Sequence, residues 1–98
     1  MFVARVSFAI QPSEAPAFEK AAVLVSETML SMPGCSIAKF YREVGNDGGV
    51  TLYQEWRSLE DSQAYLNSPA FAENGTRLRP FIASPPKTVR FSASPIET

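Results

Sequence analysis

The stretch from Val50 to Phe71, V-T-L-Y-Q-E-W-R-S-L-E-D-S-Q-A-Y-L-N-S-P-A-F, changes its side-chain period abruptly and leaves few folds open to the chain. Up to Trp56 it alternates, so Leu52, Gln54 and Trp56 share one face of a strand while Thr51, Tyr53 and Glu55 take the other. This places Trp56 at the sheet's edge, above whatever the helices cover. Ser58 followed by Leu59, Glu60 and Asp61 is a capping pattern: the serine accepts from first-turn amides, and the early acids favour the positive end of a helix running to about Asn67. Ser68-Pro69 supplies a second cap and a first-turn proline. The helix they open carries Phe71, Gly75, Leu78 and Ile82 on one stripe until Pro80 limits or kinks it.

The rest of the chain supplies partners for that unit. Phe2, Ala4, Val6, Phe8 and Ile10 alternate with Val3, Arg5, Ser7 and Ala9, which predicts a first strand with the former set in the core. Gln11-Pro12 breaks it, and Ser13 is the expected cap of a helix with Pro16 in its first turn and Phe18, Ala22, Val25, Met29 and Met32 along its apolar stripe. Pro33-Gly34 ends that helix. From Cys35 to Val44 alternation returns, with Ala38, Phe40 and Arg42 opposite Ile37, Lys39, Tyr41 and Glu43. The cluster Asn46-Asp47-Gly48-Gly49 then turns the chain into a hairpin with the Val50 strand. Pro85-Pro86 forces an extended link to a last strand, Thr88 to Ala93, with Val89, Phe91 and Ala93 on one side.

The order β-α-β-β-α-β, with its second helical region split, predicts an α+β, ferredoxin-like fold: a four-stranded antiparallel sheet with both helical regions on one face. A chain of 98 residues is expected to form one domain, residues 1–98, with about 94–98 as an unpatterned tail. At this length it buries roughly 65% of its extended-chain surface, enough to cover one sheet face. The other face, with Arg5, Ser7, Lys39, Tyr41, Tyr53 and Glu55, is more aromatic than a solvated sheet needs, so a second copy is expected to cover it.

Nine basic and ten acidic residues, net charge −1, give no polycationic stripe for nucleic acid. The apolar N-terminus is interrupted by Arg5 and reads as a strand; no run is long enough for a membrane span, so a cytoplasmic location is the expectation. Cys35 is the only cysteine and histidine is absent, which removes a zinc set, the usual proximal haem ligand and a Ser-His-Asp relay.

L-Y-Q-E-W-R-S followed by Q-A-Y-L-N-S-P-A-F resembles the signature of the antibiotic biosynthesis monooxygenase family, which shows L-Y-E-x-W, then a helix with A-H-L, then a small residue and P-x-F. Gln54 stands where glutamate is usual and Tyr65 where histidine is usual. The resemblance implies a homodimeric α+β barrel that oxidises a small aromatic substrate, a quinol, anthrone or polyketide-type ring, with dioxygen and no cofactor. Haem-degrading relatives on this fold use a histidine and an asparagine at positions that fall on Gly75 and Ala4 here, so neither group is present.

Such chemistry needs an apolar slot, help in removing a phenolic proton, and a donor or cation beside the resulting anion. The slot is expected between the sheet and the second helical region, lined by Phe8, Phe40, Leu52, Phe71 and Leu78, with Asn67 and Asn74 as amide candidates. Trp56, Tyr65, Gln54 and Arg79 are the expected catalytic residues: the indole N–H and the phenol as donors, the arginine beside an oxyanion. Gln54 cannot take up a proton, so a base role of the usual glutamate would be lost. Each has a structural alternative: Trp56 as a core residue with its N–H on a carbonyl, Tyr65 and Gln54 as packing or loop-tying groups, Arg79 as an exposed helical cation, Cys35 as a buried filler. An isomerase or other acid-base enzyme on the same fold, or a non-catalytic ligand-binding module, are the competing functions.

Overall fold

The computed structural model describes residues 1–97; Thr98, the end of the expected tail, lies outside the described residues. Strand β1 (Phe2–Ala9) leads through a 3-10 turn (Pro12–Glu14) into helix α1 (Ala15–Leu30). Strands β2 (Cys35–Arg42) and β3 (Gly49–Trp56) form the hairpin. Helices α2 (Leu59–Leu66) and α3 (Pro69–Leu78), a second 3-10 turn (Arg79–Phe81) and strand β4 (Lys87–Ser92) complete the order. The sheet runs β2-β3-β1-β4, and every pairing is antiparallel.

Local chemistry accounts for the boundaries. Ser58 accepts from the Asp61 amide at 3.2 Å and Ser68 from the Phe71 amide at 3.4 Å, so both expected caps hold their helices. Ser13 does not cap α1: it lies inside the 3-10 turn that Pro12 opens, and Glu14 precedes the helix without a side-chain cap bond. The hairpin turn begins earlier than its glycine pair suggests. Gly45 and Gly48 both have positive φ, and β2 stops at Arg42, two residues before the expected Val44.

One cluster, Phe8, Ile10, Phe18, Ala22 and Val50, fills one end of the space between sheet and helices. Phe18 meets Phe8, Phe40 and Phe81 edge to face at 5.9, 5.7 and 6.0 Å. Burying a side chain of this size contributes about 1.5–3 kcal/mol. The other cluster holds Phe2, Ala4, Val25, Met29, Ala38, Leu52, Trp56 and Tyr65.

The far face of the sheet carries no helix. Tyr41, Val89 and Phe91 are exposed there, Arg5 lies over the Phe91 ring at 5.9 Å, and Tyr53 donates its hydroxyl to Glu55 at 2.6 Å. Val3 is nevertheless buried on this side, flanked in register by Glu55 and Phe91 because β1 is an inner strand. No helix among the described residues is long and apolar enough to cross a membrane.

Candidate functional site

A cavity of about 250 Å³ opens between the helix-facing side of the sheet and helices α2 and α3. Its apolar walls come from Ala4, Val6 and Phe8 of β1, Leu52 of β3, Phe71 and Leu78 of α3, and Val25 and Ile82 at the margins. The second-face parity of β4 adds Thr88 and Arg90, with Pro86 just before them. Gln54, Ser62 and Asn74 are the buried polar side chains among the described residues, and all three line this cavity.

These groups are wired in two short chains. On β3, the Trp56 indole N–H donates to Gln54 Oε1 at 2.9 Å. Across the helices, Arg77 Nη1 donates to Asn74 Oδ1 at 2.8 Å, and Asn74 Nδ2 donates to the Tyr65 hydroxyl at 3.0 Å. Tyr65 is 4% exposed, stacks on Trp56 with ring centres 5.5 Å apart, and meets the Phe71 ring edge-on at 5.4 Å. Desolvation pushes the Tyr65 phenol above its ordinary pKa and outweighs the opposing bond from Asn74, while the nearby Cys35 thiol adds to the rise. It stays protonated in use.

Of the residues expected at the site, Gln54, Tyr65, Asn74, Phe8, Leu52, Phe71 and Leu78 line the cavity together. Trp56 does not. Its strand is an inner one, so Phe2 and Cys35 flank it in register and Tyr65 covers its ring, leaving it fully buried with its N–H occupied by Gln54. Phe40, on the edge strand β2, belongs instead to a more open groove of about 340 Å³ beside α1, where Glu19 pairs with Arg42 at 3.5 Å. Asn67 is the exposed C-cap of α2. Arg79 falls in the 3-10 turn with Pro80 and is exposed, outside the cavity lining.

Other lining residues had usable signals. Ser62 lies one turn before Tyr65 on α2, and Thr88 and Arg90 alternate with Val89 and Phe91. Arg77 had none, since its part is to hold Asn74 from behind.

A family profile described as antibiotic biosynthesis monooxygenase matches residues 1–74. No curated protein matches the sequence. Among solved structures, a candidate antibiotic biosynthesis monooxygenase from Caulobacter crescentus superposes with a TM-score of 0.87 at 19% identity, covering 96% of this chain and 90% of that one. Candidates of the same description from Deinococcus radiodurans (TM-score 0.86, 13% identity, 100% and 97% covered) and Nitrosomonas europaea (0.83, 18%, 95% and 98%) are similar throughout. At these identities the likeness speaks for the fold.

Proposed function

This chain belongs to the antibiotic biosynthesis monooxygenase family, and from that premise we propose that it is a cofactor-independent monooxygenase-like protein oxidising a small aromatic substrate with dioxygen in the cavity under α2 and α3. The observation that carries the reading is the collection of Gln54, Ser62 and Asn74 in one apolar hollow. Buried polar groups cost stability unless they are bonded, so a core that needed only packing would not gather them around open space. About 250 Å³ lies under the roughly 300 Å³ lower end of drug-sized sites, which suits a compound of one to three fused rings.

The chemistry begins with loss of a proton from the phenol or anthrone carbon. The resulting anion gives one electron to dioxygen, and the superoxide and carbon-centred radical combine to form a C–O bond. The peroxide then breaks at O–O and leaves a new carbonyl and one water. One dioxygen is consumed per substrate: one oxygen atom enters the ring and the other leaves as water. No carboxylate or imidazole lines the cavity among the described residues, so water takes the first proton. The reaction therefore suits substrates that are acidic enough to ionise without an enzyme base.

Oxygen uptake with a panel of hydroquinones and anthrones, with catalase to expose free peroxide, tests this. Saturable uptake that rises with pH towards the substrate's own ionisation is expected, and no uptake across the panel overturns it. The unfilled cavity supports an enzyme over a module packed by its own side chains. Arg90 is the one arginine lining it among the described residues, which is poor support for a phosphate-handling isomerase.

A second copy is proposed to cover the open sheet face, where Tyr41, Val89 and Phe91 are exposed beside Arg5 and Lys39. Sedimentation of a monomer at micromolar concentration would remove that part of the proposal.

A further inference from the structure

We infer that the cavity takes its ligand by an oxygen acceptor, a carbonyl, enolate or phenolate oxygen, and selects against the same ring presented as a neutral hydroxyl. This rests on the cavity being the substrate site and concerns which form of the substrate it holds. An indole nitrogen can only donate, so the Gln54 oxygen must face Trp56. The amide nitrogen of Gln54, on the wall of the cavity, then offers two N–H donors with no protein partner among the described residues. A guanidinium likewise only donates, so the Asn74 oxygen must face Arg77 and its nitrogen must face Tyr65. The Tyr65 oxygen is thereby an acceptor from Asn74, and its own O–H is directed elsewhere, toward the hollow that Tyr65 lines.

Both amides are thus locked in orientation: Gln54 turns its own N–H donors to the ligand, and Asn74, by donating to Tyr65, leaves the phenol O–H as the donor. Arg90, an exposed residue of β4 that contributes to the lining, has the same sign. The hydroxyls of Ser62 and Thr88 also line the space and work in either sense, so they oppose nothing. Asn74 and Arg77 are positioning residues. They act through Tyr65 by fixing which way its hydroxyl proton points. For an oxygenation this polarity selects the reactive species, because the anion is the form that gives an electron to dioxygen.

The test uses 4-nitrophenol, an electron-poor ring that does not react with oxygen and whose neutral and anionic forms absorb at different wavelengths. Titrating it with the protein across pH reads the protonation state of the bound probe directly. A saturable change with about tenfold tighter binding of the phenolate is expected, which lowers the bound probe's pKa by about one. Tyr65→Phe is expected to bring the two forms to within about threefold of each other, since a hydrogen bond to a charged group is the strong kind. Arg90→Gln keeps most of the preference. Asn74→Asp, which replaces the donor facing Tyr65 by an acceptor and draws the hydroxyl proton back, abolishes or reverses it. Preferential binding of the neutral phenol overturns the inference and leaves the cavity as a ligand site. So does a phenolate preference that survives Tyr65→Phe but vanishes in Arg90→Gln. No saturable change at any pH removes both the inference and the reading of the cavity on which it rests.

Discussion

The indole N–H of Trp56 donates to Gln54 Oε1 at 2.9 Å, two residues back along the same strand, with both side chains buried. Period-two alternation puts them on one face of β3, and β1 and β2 flank the pair on both sides. Gln54→Leu leaves a buried donor without a partner and is expected to cost about 1–3 kcal/mol. For a chain of this size, that lowers the melting temperature by roughly 4–8 °C per kcal/mol. Trp56→Phe on top of it removes the orphan, so the double variant loses less than the sum of the two single changes. Urea unfolding of the four proteins measures the coupling; simple additivity would show that the bond contributes nothing.

Burial pushes the Cys35 thiol from 9.0 up to about 11, against a weaker lowering by a hydrogen bond with the Ile37 backbone. The difference of two corresponds to about a hundredfold less thiolate at neutral pH than an ordinary cysteine has. Iodoacetamide is therefore expected to label the folded protein about a hundredfold more slowly than the urea-unfolded chain at the same pH. Equal rates would place the thiol in solvent, in conflict with its packing beside Trp56 in the second core cluster.

The same shift sets the alkaline limit of stability. Above about pH 9 an unfolded chain releases the Cys35 proton while the folded one keeps it until about 11. The unfolded state then binds fewer protons, and stability falls as pH rises. Tyr65, raised by desolvation, acts in the same direction from its ordinary 10.0 upward, and so does Tyr53, raised by its hydrogen bond to Glu55. The contribution is complete below the unfolded values and is lost as pH rises from them through the folded ones. Melting temperature against pH should start to drop near 9 in the native protein and nearer 10 in Cys35→Ala. Tyr65→Phe should shallow the later part without abolishing it, because Tyr53 remains. An onset that Cys35→Ala does not move would sink this assignment.

Alternation and capping residues make the elements and their faces legible in the sequence. Depth was not legible. The parity that groups Gln54 with Trp56 says which face they share, but only the strand order and the register shift between Cys35 and Ile37 bring Cys35 opposite Trp56 and close it off. Nor does spacing reveal that Asn74 of α3 reaches Tyr65 of α2, since this depends on the angle at which the chain leaves the Ser68 cap. Arg79 is next to Leu78 in sequence, but α3 ends at Leu78 and gives way to the 3-10 turn, where Arg79 is exposed, and that helix end is set by backbone geometry that side-chain spacing does not report.

Gly34 links the sheet to the helix that carries Ser62 and Tyr65. Its φ of +83° is left-handed, its carbonyl accepts from the Arg57 amide at 2.7 Å, and a Cβ placed on it would run into the Asp61 carboxylate. Asp61 is itself held by Arg57 Nε at 2.8 Å and gives its amide to the Ser58 cap. Gly34→Ala thus imposes backbone strain of about 1–2 kcal/mol and also displaces the first turn of α2. Gly45 has the same φ with open space around it, so Gly45→Ala carries the strain alone. Chemical unfolding should show Gly34→Ala the costlier of the two by at least about 1 kcal/mol, with part of the excess recovered when Asp61→Ala is added. Because α2 positions Tyr65, Gly34→Ala should also weaken 4-nitrophenol binding where Gly45→Ala does not. Equal losses in both variants would mean that Asp61 yields freely and that the α2 start is not pinned at Gly34.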